Sequence, residues 1–167
     1  MRGLSRLILT GFVAAAVAVP AAGQKRSDDQ IAPKSVELMQ QAKSLAVAGK
    51  YDEAQTALEA SLAVDPRNRA AYVESARVAE KQKLYGKAIR FANKALSMEP
   101  NDIDALAVQG QAMVELGALA RAKDNLTKIK SICTKGCPQA TLLAGIIGRG
   151  PTVASATVPK TPEPKNN

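Results

Sequence analysis

Cys133 and Cys137 are the only cysteines among 167 residues, and the sequence holds no histidine. Together these facts narrow the chemistry the chain can do. Histidine is the commonest general base and metal ligand, so Ser44, Ser61, Ser75 and Ser97 lack an imidazole to activate them. Two thiolates alone make half a zinc site. Thiol oxidoreductases use a two-residue spacer, whereas Thr134-Lys135-Gly136 separates this pair. In an oxidising compartment the pair reads first as a structural disulfide closing a small loop, worth ~2 kcal/mol, with free or regulatory thiols as the alternative. Glu74, Glu80 and Glu115 read as helix-surface carboxylates paired with nearby Lys or Arg rather than as an acid–base dyad. Gly145, Gly148 and Gly150 follow no strand, as a phosphate loop would require, and read as close-packing and helix-ending glycines. No catalytic residue, metal site or cofactor is predicted.

The elements that carry these residues repeat. Tyr51, Tyr85 and Leu119 are 34 residues apart, as are Ala54, Ala88 and Ala122, and Pro66 and Pro100 keep the same step. A fixed period of this size marks copies of one supersecondary unit that must stack to bury a core. Three copies fit in register, over 35–68, 69–102 and 103–136. In the first, Leu38, Ala42 and Leu45 share one helix face, Gly49 marks a turn, and Ala54, Leu58, Ser61 and Leu62 share the face of a second helix. Asp65-Pro66 and Glu99-Pro100 stop the second helices, because a residue before proline is pushed out of the helical region. Ala42, Ala76 and Gly110 form one column of small residues and Ala54, Ala88 and Ala122 another, which predicts close helix crossings there. The third copy has Thr134 where the stopping proline belongs. Gly136 and Pro138 follow, and Leu142, Leu143, Ile146 and Ile147 predict a short capping helix over 138–148.

Gly49-Lys50-Tyr51-Asp52-Glu53-Ala54 with Leu62-Ala63-Val64-Asp65-Pro66, and Leu84-Tyr85-Gly86-Lys87-Ala88 with Ala95-Leu96-Ser97-Met98-Glu99-Pro100, resemble the tetratricopeptide repeat. The resemblance implies an all-α fold: a right-handed α-solenoid of three helix-turn-helix repeats plus the C-terminal capping helix. It also implies a concave face lined by the first helix of each repeat. Positions there that the core does not need are Met39, Lys43 and Val47, then Val73, Arg77 and Lys81, then Ala107, Gln111 and Val114. Lys43, Arg77 and Gln111 share a column, so the expected groove carries cations among small apolar residues. Such a groove suits an extended or helical peptide with acidic groups.

The ends differ from this body. Arg2 and Arg6 precede the apolar run Leu7 to Val19, and Pro20-Ala21-Ala22-Gly23 supplies a break and small residues, so 1–23 reads as an export signal cut after Gly23 or Ala21. Thirteen apolar residues rise only ~20 Å, short of a ~30 Å hydrocarbon core. Residues 24–34 read as a disordered lead-in, and 149–167, with Pro151, Pro159, Pro162 and Pro164, as a disordered tail. Losing Arg2 and Arg6 lowers the formal charge from +8 to +6, spread over tails and body. A nucleic-acid binder concentrates its charge on one folded face, so none is expected as partner. The expected function is a non-catalytic adaptor in a bacterial periplasm, holding an unidentified protein or peptide in its groove. The alternative is an envelope-associated structural protein, its basic tails in weak contact with anionic lipid or polymer and its repeats mediating self-association.

Overall fold

A computed structural model describes residues 30–152; the predicted signal at 1–23, the lead-in through 29 and the tail from 153 lie outside them. Seven helices follow in order: α1 (Pro33–Val47), α2 (Tyr51–Val64), α3 (Arg69–Lys81), α4 (Tyr85–Met98), α5 (Ile103–Glu115), α6 (Leu119–Ile132) and α7 (Pro138–Arg149). Each odd helix packs on the even helix that follows it, making three helix-turn-helix repeats and a cap. The odd helices also touch in succession, α1 on α3, α3 on α5 and α5 on α7. Among the described residues, α2, α4 and α6 make no close backbone approach to one another. One layer is therefore closed and the other splayed, which curves the stack and leaves α1, α3, α5 and α7 on its inner side.

The boundaries follow local chemistry. Asp65 and Glu99, each before a proline, take extended backbone and end α2 and α4. Asn68 and Asp102, again one period apart, accept the backbone N–H of Ala71 (3.1 Å) and Ala105 (2.8 Å), capping α3 and α5. α1 opens at Pro33, inside the stretch read as a polar lead-in. The Ala32 N–H donates to Asp65 Oδ2 at 2.9 Å and Ala32 is buried, so these contacts extend the folded body beyond position 35. α7 likewise runs one residue past 148, and Gly150 ends it at φ 76°.

The predicted small-residue columns are buried: Ala42, Ala76, Ala54, Ala88 and Ala122 have essentially no exposed surface. The core is a string of local clusters, as stacked repeats require. Gly110 departs from the expected reason for its size. A Cβ there would meet Leu143 Cδ2 of the cap at 2.7 Å, so the glycine admits α7 rather than a closer α5–α6 crossing. Ser61, read as packing, also bonds α2 to α1: Ser35 Oγ donates to the Ser61 carbonyl (2.8 Å) and Ser61 Oγ to the Ser35 carbonyl (2.7 Å).

The turns between paired helices reach left-handed backbone at Gly49 (φ 76°), Lys83 (φ 62°) and Gly117 (φ 76°), all in one register. Glycine takes this conformation freely, whereas a side chain costs about 1–2 kcal/mol. Gly also loses more entropy on folding, by about 0.4–1 kcal/mol. Lys83→Gly is therefore expected to stabilise the chain by about 0.5–1 kcal/mol, read as a higher urea midpoint with unchanged slope.

A concave groove as candidate functional site

Two adjoining cavities run across the inner layer. One, of about 460 Å³, lies between α1 and α3 and is lined by Lys43, Ala46, Val47, Tyr51, Glu74 and Val78 with Arg77 and Lys81. The other, of about 410 Å³, continues over α5 to α7, reaching Glu80, Asp104, Ala107, Gln111, Gln139 and Leu142. Arg77 and Lys81 line both, which joins them into one trough. Its apolar surface includes Val47, 91% exposed, and Leu142, 53% exposed.

Polar groups cross the floor as a ladder. Lys43 Nζ lies 3.4 Å from Glu74 Oε1, and Arg77 Nε lies 4.0 Å from the same oxygen. Arg77 Nη2 donates to Asp104 Oδ1 at 2.6 Å, and Gln139 Nε2 donates to that oxygen at 3.2 Å. Four helices are thereby tied at one level. The cations and Asp104 are nearly half exposed and only Glu74 is largely covered, so each pair contributes about 1 kcal/mol. Lys81 has no ion-pair partner among the described residues, so its charge is available to a ligand.

The groove keeps Lys43, Val47, Arg77, Lys81, Ala107 and Gln111 together on its lining. Met39, Val73 and Val114 are instead buried in hydrophobic clusters and present no surface to a ligand. For Val114 the cause is a shift of register. Val47 and Lys81 are followed one period later by Glu115, and a step of one residue turns a helix by about 100°. The expected groove of cations among apolar residues also lacked its carboxylates, Glu74, Glu80 and Asp104. Glu74 and Asp104 balance much of the positive charge: Glu74 meets Lys43 across α1 and α3 as well as Arg77 one turn away, and Asp104 takes Arg77 from α3.

Burial, opposed by the positive charge of Lys81 and reinforced by the negative charge of Glu115, pushes the Glu80 carboxyl up to about 7. The folded state thus holds a proton that the unfolded chain releases near the ordinary value of 4.5, and ionisation costs stability between those values. Acidifying from pH 7.5 to 5 is expected to raise the unfolding free energy by on the order of 1–2 kcal/mol. Asp65 acts in the opposite sense at lower pH. The Arg67 guanidinium, with the Ala32 and Arg67 N–H groups, holds its carboxyl well below the usual range, so its contribution is lost as pH falls below that range. Urea unfolding from pH 3 to 8 should show a maximum near pH 5, and Glu80→Gln should flatten the upper limb.

The Cys133–Cys137 disulfide is present, with Cα atoms 5.9 Å apart. Gly136 (φ 83°) makes the bend, and Pro138 opens α7 immediately after Cys137. Both cysteines pack against Leu106, Ile129 and Leu143, so the bridge seats the cap on the third repeat.

Residues 39–104 match the protein family described as Tetratricopeptide repeat. No curated protein is similar to the chain by sequence. Among solved structures, the first such domain of Spaghetti (RPAP3), bound to the HSP90 peptide SRMEEVD, is similar with a TM-score of 0.64 at 22% identity, over 70% of this chain and 91% of that one. The second domain of human RPAP3, in complex with the HSP70 peptide SGPTIEEVD, gives 0.62 at 22% identity over 69% and 95%. The TPR2B domain of yeast Sti1, in its pHsp70 complex, gives 0.65 at 18% identity over 71% and 98%. Residues 39–104 thus resemble tetratricopeptide repeats by sequence, and the described array of seven helices has the tetratricopeptide-repeat fold.

Proposed function

We propose that the chain is a non-catalytic binding module that holds a peptide segment of another protein in the concave groove. The observation that carries this reading is the continuity of the two cavities through Arg77 and Lys81, which makes a trough long enough for several residues. Two domains of the same fold were solved with peptides and a third in a complex with pHsp70, which supports peptide capture as the use of such a surface. The charge balance refines the ligand. Lys43 and Arg77 are already paired with Glu74 and Asp104, and Lys81 is the cation left over. The groove therefore suits a peptide with an acidic group at Lys81 and apolar groups toward Val47 and Leu142, rather than a run of carboxylates. Export to an oxidising compartment belongs to the same reading: Arg2, Arg6 and the apolar run after them, and the cysteine pair, support it.

In-cell photo-crosslinking tests the reading. A crosslinker placed at Val47 or Gln111 should capture the same partner, while one at Thr56 or Ala60 on α2 should not. Capture from α2 alone would overturn it. For export, the mature protein should be recovered from the periplasm beginning near Gln24 or Ala22.

A further inference from the structure

The outer layer divides by charge. Helix α2 carries Asp52, Glu53 and Glu59 and no cation. Helix α4 carries Lys87, Arg90 and Lys94 and no acid, and α6 carries Arg121, Lys123, Lys128 and Lys130 against Asp124 alone. Among the described residues, none of the α4 and α6 cations makes an ion pair. Every bridge joins residues of the inner helices or of the turns leading into them. Charge that is spread along the sequence is thus gathered by the fold on two neighbouring outer helices. Part of it repeats. Lys87, Lys94 and Met98 stand at i, i+7 and i+11 on α4, and Arg121, Lys128 and Ile132 stand at the same positions on α6, one period later. At about 100° per residue each trio falls within one stripe of its helix, turned away from the buried Ala88, Ala92 and Ala95 of α4 and the buried Ala122 and Ile129 of α6. Lys87 covers the Phe91 ring, while Lys94, Arg121 and Lys128 are exposed. Met98 and Ile132 are each 37% exposed.

We propose that the face formed by α4 and α6 docks the protein on an anionic phospholipid bilayer, with the groove left open on the opposite, inner side. Charge complementarity carries the first step. Each Lys or Arg held near an anionic membrane surface adds attraction, and a cluster of about four to eight is enough for recognition. Shape agrees with a planar partner. Two neighbouring helices define a plane, and the outward curve of the stack lifts the acidic α2 away from it. Because α4 and α6 make no close backbone approach to each other, headgroups reach the flanks of both. The apolar ends of the stripes favour lipid over a soluble acidic partner. Met98 and Ile132 lie one turn beyond Lys94 and Lys128. A long cation there extends to the headgroups while its apolar neighbour enters the boundary beneath them. The proposed export also brings the protein to such a surface rather than to nucleic acid. The lipid contact does not rest on the peptide-binding function. Only its use, holding a captured partner at the membrane, does.

Vesicle sedimentation of the oxidised chain from Gln24, which keeps all seven helices, provides the test. The protein should bind vesicles of phosphatidylcholine and phosphatidylglycerol in equal parts and dissociate as salt is raised. It should bind vesicles of phosphatidylcholine alone far more weakly. Lys94→Glu with Lys128→Glu should lower partitioning into the anionic vesicles at least about 10-fold, with circular dichroism unchanged. Lys160→Glu with Lys165→Glu makes the same charge change in the tail and should lower it less than about 2-fold. Met98→Ser with Ile132→Ser should lower it about 3–10-fold. No binding, equal binding to both kinds of vesicle, or a loss from the tail changes as large as that from the helix changes would overturn the proposal. So would a loss on Lys94→Glu with Lys128→Glu that Met98→Ser with Ile132→Ser does not share. Recognition by charge alone would assign the face to a soluble polyanion, an acidic protein or a nucleic acid.

Discussion

Leu143→Ala is expected to lower the unfolding free energy by about 3–4 kcal/mol, at the upper part of the range for a buried leucine. Leu143 is fully buried and projects from the cap onto α5 at Gly110. Because glycine offers no side chain to fill the space, the cavity left behind cannot collapse, and cavity volume adds to the lost transfer energy. The reciprocal change is informative. Gly110→Ala places a Cβ 2.7 Å from Leu143 Cδ2 and 3.0 Å from Cδ1. That overpacking costs about 1–3 kcal/mol, against a gain of about 1 kcal/mol in helix propensity. Alone it should destabilise by about 1 kcal/mol; in the Leu143→Ala background it should stabilise by about as much, a coupling of about 2 kcal/mol. Urea denaturation of the four oxidised proteins measures all of these. Additive effects would mean that α7 does not sit on Gly110.

Combining Arg77→Glu with Lys81→Glu is expected to weaken peptide capture at least about 100-fold, equivalent to about 2.7 kcal/mol. Arg77 lies between Glu74 and Asp104 and lines both cavities. A carboxylate there adds to two existing ones and removes the tie between α3 and α5. At Lys81 the change removes the cation that has no ion-pair partner among the described residues. Arg77 and Asp104 are nearly half exposed, so the stability cost should stay near 1 kcal/mol and circular dichroism should be unchanged. Lys81→Gln alone should chiefly reduce the association rate and its salt dependence. Isothermal titration with a peptide from the crosslinked partner reads the affinity. Undiminished binding would remove Arg77 and Lys81 from the site.

The fold was legible because its determinants recur. A 34-residue step placed Ala54, Ala88 and Ala122 in the core, and helix-stopping prolines at 66 and 100 marked the ends of α2 and α4. The groove was less legible because its groups meet across helices. Lys43 finds Glu74 and Arg77 finds Asp104 on neighbouring odd helices, separations that helical periodicity within one segment does not report. Met39 and Val73 were misplaced for a related reason. An inner helix packs on its own partner and on the next repeat's first helix, so two of its faces are buried, and a single apolar stripe does not identify the second. Glu115 was within reach of sequence reasoning, since it stands one period after Lys81. Gly110 could not be explained without α7 in place, because its contact comes from the cap rather than from the repeat.

The most direct measurement of the central claim is amide chemical-shift mapping of the isotope-labelled chain, titrated with a peptide from the partner captured at Gln111. Shifts concentrated on Lys43, Val47, Arg77, Lys81 and Gln111, saturating with one peptide per chain, are the expected result. Shifts confined to α2, α4 and α6, with the inner helices silent, would contradict a groove-binding function.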